Sequence, residues 1–202
     1  MNLESVRNTY TRFAPYYDAT HTWMLPKRRR ARMMLGVRPG DRVLDVACGT
    51  GLNFAHLREL AGDAGCVMGV DVTPAMLDIA RRRIARHGWA NVQVREADAA
   101  RLPFPGATFD RAICAYAVHV IPDYAQAIDE VRRVLVPGGR FVVLDVELTG
   151  RSLSSWPDWL LHLCAVHAGH QVGDELQRAF ADVTVHAFWA GLINVAVAQK
   201  ER

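Results

Sequence analysis

The stretch that most constrains the fold is Val43-Leu44-Asp45-Val46-Ala47-Cys48-Gly49-Thr50-Gly51, an apolar run that stops at a Gly-x-Gly turn. Val43, Leu44 and Val46 suit a parallel strand buried on both faces, and a helix is predicted from about Asn53 to Leu60. Gly49 and Gly51 let backbone approach a bound molecule with no side chain in the way, so a ligand is expected over the turn. A phosphate-gripping loop would close in Gly-Lys-Ser/Thr, whereas Gly51 is followed by Leu52 and Asn53. A dinucleotide fingerprint would place a third glycine where Phe54 stands, which argues against a nicotinamide dinucleotide. On this stretch alone, an ordinary strand-to-helix turn stays open.

Two further strand ends narrow the choice. Cys66 to Asp71 reads as a second strand ending in a carboxylate 20 residues after Gly51, where a doubly wound sheet can offer an acceptor pair to ribose hydroxyls. Val92 to Asp98 again ends in an acid, placed to accept from an exocyclic amine of adenine. Asp45, Asp71 and Asp98 are therefore expected along one edge. Any one of them could be a helix N-cap or a solvated charge, but three in phase point to a binding edge.

Val43 to Gly51, Gly69 to Leu77, Glu96 to Phe104, Phe109-Asp110 and Leu135 to Arg140 together resemble the class I S-adenosylmethionine-dependent methyltransferases, in the order and spacing of that family. The resemblance implies an α/β, Rossmann-like seven-stranded sheet of order 3-2-1-4-5-7-6, strand 7 antiparallel, with helices on both faces. It implies that Asp45, Ala47, Gly49 and Gly51 face the methionine part of S-adenosyl-L-methionine, that Asp71 with Val72 meets the ribose, and that Asp98 with Ala99 meets the adenine. Met76 would pack on the adenine ring and Ala115 would lie by the methionine end. Ala47 departs from the family, where glycine is usual.

With 202 residues, half of them hydrophobic, the chain is long enough for one domain with a full core. A net charge of +3 is only mildly basic, and no added basic or aromatic module is evident, so a nucleic-acid substrate is not expected. No apolar run approaches the ~20 residues that span a bilayer, and Met1 to Ser5 does not read as a secretory leader, so a cytoplasmic protein is expected. Cys48, Cys66, Cys114 and Cys164 are widely spaced and read as small core residues rather than a disulfide framework.

Leu3, Val6, Tyr10, Phe13 and Ala14 repeat at helical spacing, with Pro15 expected to end the segment, and residues 1–35 are expected to form a helical lid. Phe13 to Asp18 resembles the entry segment of the ubiquinone/menaquinone C-methyltransferase and small phospholipid N-methyltransferase branch, which implies that Tyr17 closes over the cofactor. Lys27 to Arg32 holds five basic residues in six positions. It reads as a solvated helix face or, beside Trp23, Met24 and Leu25, as a peripheral contact with an anionic membrane at the inner face. Thr73-Pro74 opens a helix whose stripe is Met76, Leu77, Ile79, Ala80 and Ile84, leaving Arg81, Arg82, Arg83 and Arg86 solvated.

A fourth strand is expected over Phe109 to Ala115, a helix capped by Asp123, a fifth strand over Gly138 to Glu147, and a hairpin over Val183 to Trp189 and Leu192 to Ala198. The loop Tyr116 to Pro122 falls at the switch point of the sheet, so His119 is the titratable group expected to face substrate and, with Tyr17, a candidate for the chemistry. Residues 148–181 are expected to form a substrate cap, with an apolar helix over 156–168 apt to line a lipophilic pocket. His162, Cys164, His167 and His170 share that helix, but no matching acid or cysteine pair lies nearby, and no metal is expected.

Transfer of a methyl from a sulfonium centre needs orientation more than a strong base, which contributes ~7–11 kcal/mol, so such a chain declares its cofactor and hardly its acceptor. The expectation is methyl transfer to a small amphipathic or lipophilic acceptor, such as a phospholipid head-group amine, releasing S-adenosyl-L-homocysteine. A soluble natural-product or quinone O-, N- or C-methyltransferase is the alternative, and a cofactor-binding regulatory protein is the alternative without catalysis.

Overall fold

The computed structural model describes residues 2–21, 25–146, 172–188 and 193–202. The predicted helix over 156–168, its histidines, Cys164 and the Gly191 turn lie outside the described residues.

Seven strands form one sheet in the order β3-β2-β1-β4-β5-β7-β6. They are β1 (Arg42–Val46), β2 (Cys66–Asp71), β3 (Val92–Glu96), β4 (Phe109–Ala115), β5 (Leu135–Val146), β6 (Asp182–Phe188) and β7 (Ile193–Gln199). The first five are parallel where they pair, and β7 runs antiparallel between β5 and β6. The expected order and the reversed strand are both present. The helices are α1 (Leu3–His21), α2 (Leu25–Leu35), α3 (Phe54–Ala61), α4 (Pro74–His87), α5 (Tyr124–Val134) and α6 (Val172–Ala179).

The alternation of a strand divides the core into two layers. Leu44 and Val46 of β1 join one apolar cluster with α5, while Val43 joins a second with α2 and α3. Both faces of the parallel strands are covered, which is why β1 and β4 read as near-continuous apolar runs. Cys66 departs from its expected core position, because the first residue of β2 is exposed, whereas Cys48 and Cys114 are buried thiols.

The position where a dinucleotide fold would need glycine is instead filled by a packing device. Phe54 is completely buried at the start of α3. A Cβ on Gly69 would fall 2.6 Å from the Phe54 ring and 2.8 Å from Cys48 Sγ, and one on Gly51, at φ +79°, would fall 2.4 Å from the same ring. The two glycines thus make the notch that seats Phe54. Gly69→Ala should therefore cost about 1–3 kcal/mol by overpacking, read as a thermal midpoint several degrees lower. An unchanged midpoint would show that the notch has slack.

Two elements differ from their sequence reading. Helix α1 does not stop at Pro15 but continues to His21, because Ala14 and Tyr17 on that turn are buried against Met76 of α4. That burial offsets the backbone hydrogen bond the proline removes. Strand β5 begins at Leu135 rather than Gly138, directly after α5. Asp123 caps α5 as expected, its Oδ1 accepting from the Gln126 N–H at 3.3 Å. Among the described residues, no helix is long and apolar enough to cross a membrane.

Candidate cofactor and acceptor site

A cavity opens at the carboxyl ends of β1, β2 and β3, roofed by α1. Ala47, Gly49, Asp71, Val72, Met76, Asp98 and Ala99, all singled out from the sequence, line it, and so does Tyr17. The helix periodicity of α1 brings Leu3, Val6 and Tyr10 to the same wall, a contribution the sequence reading left in the apolar stripe. Tyr17 sits in a cluster of rings: Tyr10 and Phe13 meet it edge-on, and His21 stacks on it with centroids 4.0 Å apart.

Asp71 organises the cavity floor. Its Oδ2 accepts from the Gly49 N–H at 2.8 Å and its Oδ1 from the Thr73 N–H at 2.8 Å, so one carboxylate ties the turn after β1 to the start of α4. The Thr73 hydroxyl and the Val72 backbone also act on the same carboxylate. Burial raises the Asp71 pKa, against the lowering effect of these backbone donors. Asp98 uses Oδ1 to accept from the Ala100 N–H at 2.9 Å, which shapes the turn after β3. Gly49 takes φ +55°, and only the Tyr17 ring, at 4.0 Å, approaches the place a Cβ would occupy.

The backbone is strained where it borders the cavity. Ala47 and Tyr116 both adopt left-handed φ, +50° and +59°, and both line the wall. An alanine in that region costs about 1 kcal/mol, which accounts for the family's glycine at position 47. Ala115, expected at the methionine end, is buried in the core cluster instead, and Tyr116 and Ala117 form the wall. Its Cβ follows the strand pleat inward, so a one-residue offset moves it behind the wall. Gly51 likewise faces away from the cavity, against Phe54.

Asp45 lies behind the wall too, only 1% exposed, and belongs to a network that sequence spacing did not reveal. Asn53 Nδ2 donates to both Asp45 oxygens at 3.1 and 3.2 Å. Asn53 Oδ1 accepts from Arg28 Nη1 at 3.4 Å and Arg32 Nη1 at 3.3 Å. The basic run is therefore not a uniformly solvated or lipid-facing stripe: Arg28 and Arg32, one helical turn apart, point inward at 4% and 7% exposure. Burial pushes Asp45 up to about 7, against the Asn53 hydrogen bond and the two guanidinium groups. Burial and the neighbouring Arg28 push Arg32 down to about 10. Arg28 also hydrogen-bonds Tyr17 and lies 5.1 Å from the Tyr116 ring centroid. The Nε groups of Arg28 and Arg32 and the Tyr116 hydroxyl are buried without a hydrogen-bond partner among the described residues. Two buried cations thus meet Asp45 through the Asn53 amide, behind the cavity wall.

His119 stands in the 3₁₀ turn Val118–Val120; its neighbours Ala117 and Val120 line the cavity, whereas His119, expected to face substrate, is itself buried just behind them. Its Nδ1 meets Asp145 Oδ1 at 2.5 Å, and its backbone N–H donates to Asp145 Oδ2 at 3.1 Å. Burial acts to lower the His119 pKa, but the Asp145 charge and hydrogen bond outweigh it and the net shift is upward. With Nδ1–H given to Asp145, Nε2 is left as the accepting nitrogen. The sequence places Asp145 at the end of β5 as an alternative to His119 for holding a phenolate, and the structure pairs the two. Among the described residues, no cluster of histidine, cysteine and acid could hold a metal.

The signature of a family described as a methyltransferase domain matches residues 43–139, from β1 to the start of β5. The chain is 30% identical to the 2-phytyl-1,4-naphtoquinone methyltransferase of a Synechocystis species, over 98% of this chain and 95% of that protein. The chain belongs to the S-adenosylmethionine-dependent methyltransferases. This methyltransferase is also 44% identical over 119 residues to the ubiquinone/menaquinone biosynthesis C-methyltransferase of Teredinibacter turnerae. That match takes in 58% of this chain and 48% of the relative, so it spans about half of the relative's length. In fold, the methyltransferase is similar to Haemonchus contortus phosphoethanolamine N-methyltransferase 2 in complex with S-adenosyl-L-methionine, with a TM-score of 0.72 at 17% identity over 88% of this chain and 53% of that one.

The described residues fit the cofactor. The open Gly49 backbone, the Asp71 carboxylate and Tyr116, whose buried hydroxyl has no partner among the described residues, line one cavity, with Arg28 behind the Tyr116 ring.

Proposed function

We propose that this methyltransferase acts on a small lipophilic phenolic acceptor of the reduced-quinone type, at a ring carbon. The observation that supports it is the end-to-end likeness to a naphthoquinone methyltransferase. The head-group amine anticipated from the compact chain has fold-level likeness behind it only.

In this reading, S-adenosyl-L-methionine supplies, when bound, an electrophilic methyl on a sulfonium sulfur. Gly49 and Ala47 would leave backbone open to its methionine part, and Arg28 and Arg32, held in place by Asn53 and Asp45, would draw its carboxylate from behind the wall. Asp71 would accept from the ribose hydroxyls beside Val72, while Asp98, Ala99 and Met76 would hold the adenine. Gly51 and Ala115 would act from behind the wall, and α1 would serve as a lid through Tyr17.

A phenolic acceptor becomes nucleophilic at carbon once its O–H proton is removed. Neutral His119 would take that proton on Nε2, with Asp145 fixing the opposite nitrogen and stabilising the imidazolium. The hydrogen displaced from the methylated carbon then leaves as a proton when the ring regains aromaticity. The decisive assay offers a demethylated naphthoquinol and phosphatidylethanolamine in parallel. Methylation of the quinol alone supports the reading, and methylation of the amine alone overturns it.

The pair also sets a pH dependence. A base must be neutral, so kcat should fall as pH drops through the His119 pKa, which lies above its ordinary 6.5. Asp145→Asn removes the influence that raises it and leaves burial, which lowers it, so the acid limb should move to lower pH. A limb that stays in place would remove His119 from the proton path. With Arg28 and Arg32 turned inward, contact with an anionic membrane would fall to Arg29, Arg30 and the exposed Met33.

A further inference from the structure

A second cleft opens on the far side of the Gly-x-Gly turn, between the start of α3 and the outer face of α4. Its floor is apolar, from Leu52, Ala55, Ile79 and Trp89, and its rim carries the cations of Arg82, Arg83 and Arg86 beside His87. Trp89 stacks on His87 with ring centroids 4.7 Å apart. The carboxylate in the wall is Asp18, near the end of α1, and it is already engaged: Thr50 Oγ1 donates to its Oδ1 at 2.6 Å and Arg83 Nη2 to its Oδ2. The Arg83 side chain, expected to be solvated, is therefore the pin that holds α1 down on α4. Arg82 and Arg86 make no ion pair or hydrogen bond with any other described residue.

We propose that this cleft binds a phosphate-bearing anion and that its occupancy loosens the lid helix. Guanidinium groups present paired N–H donors that match phosphate oxygens, and two of the three here have no partner to give up. The floor of Leu52, Ile79 and Trp89 would accept an organic portion of the ligand. Arg83 cannot give the same N–H groups to a phosphate and to Asp18. Drawn toward the anion, it leaves Asp18 held by Thr50, one residue from Tyr17 in the cavity wall. Anion and cofactor therefore oppose each other, and linkage makes the effect reciprocal. The phosphate could arrive on a soluble metabolite or on a lipid head group, and the recognising chemistry is the same. The coupling rests on Tyr17 covering the cofactor, but the anion site does not.

The test is calorimetric titration of the full chain with inorganic pyrophosphate at constant ionic strength, with chloride as the control. Saturable binding is expected, weakened at least tenfold in the double variant Arg82→Gln/Arg86→Gln. Both side chains are exposed, so the variant should keep the wild-type thermal midpoint and S-adenosyl-L-homocysteine affinity. Saturating pyrophosphate should weaken S-adenosyl-L-homocysteine binding severalfold in the wild type but not in Asp18→Asn, where no rivalry for Arg83 remains. Displacement of pyrophosphate by phosphatidylglycerol vesicles would assign the phosphate to a lipid, and failure to displace it would assign a soluble ester. No binding beyond the chloride control, or binding untouched by the double variant, overturns the site. Unchanged S-adenosyl-L-homocysteine affinity at saturating pyrophosphate overturns the coupling. If pyrophosphate binds and S-adenosyl-L-homocysteine never does, it is the placement of the cofactor that fails.

Discussion

His119→Asn should lower the methyl-transfer rate by about 100- to 10,000-fold while leaving S-adenosyl-L-homocysteine affinity near that of the wild type. Asparagine is the informative replacement, because its amide can still donate to Asp145 Oδ1 where Nδ1 does now, yet it cannot take up a proton. Alanine would remove the side-chain partner of the Asp145 carboxylate, only 7% exposed, and add a folding defect of about 1–3 kcal/mol to any catalytic one. The measurement is single-turnover methylation of a quinol acceptor beside a calorimetric titration with the product. A rate within threefold of the wild type would show that orientation alone carries the reaction. The stability side has its own sign. Because the His119 pKa is raised in the fold, the pair's contribution is fully present below 6.5 and is lost as pH rises through the folded value.

Asp71→Ala should raise the dissociation constant of S-adenosyl-L-homocysteine by about 100-fold or more. Two hydrogen bonds from ribose hydroxyls to a carboxylate would be lost, at ~1.5–3 kcal/mol each, and the tenfold-per-1.4 kcal/mol scale converts that directly. The variant also strands the Gly49 and Thr73 N–H groups, which now bond the carboxylate at 2.8 Å, so the turn itself should relax. Asp71→Asn separates the two effects, since its amide oxygen can keep one of those backbone donors while the charge is gone. A folded Asp71→Ala protein with affinity within threefold of the wild type would place the ribose elsewhere.

The part of the site that was legible in the sequence is the part made by backbone geometry at strand ends. Gly49, Asp71, Val72, Asp98 and Ala99 line the cavity because a parallel strand delivers its last residues to one edge, and strand ends are visible as apolar runs that stop. Legibility failed where a single residue of register matters. Asp45 and Ala115 lie near the right edge, but each points into the layer behind it, because the pleat sends alternate side chains to opposite faces.

The charged segments were the least legible. Lys27 to Arg32 reads as a solvated or membrane-facing run and Arg81 to Arg86 as a solvated one, yet Arg28 and Arg32 are buried on Asn53, and Arg83 is pinned to Asp18. Each of these contacts joins residues 21 to 65 positions apart, and nothing local to a run of arginines says which face of its helix has a partner waiting.

The sequence by itself determined the order of the elements, the parallel core with its reversed strand, the family and the cofactor. The elements and the binding edge rest on local patterns, apolar runs, turn glycines and acids at strand ends, whereas the sheet order and the reversed strand are what the resemblance to the family implied. Only the tertiary structure decided that Phe54 fills a notch between Gly51 and Gly69, that Asp145 orients His119, and that Arg28 and Arg32 are buried against Asn53 behind the cavity wall. Those are contacts between side chains from distant elements, whose partners and energies are set by burial and distance, and neither exists until the sheet has brought the elements together.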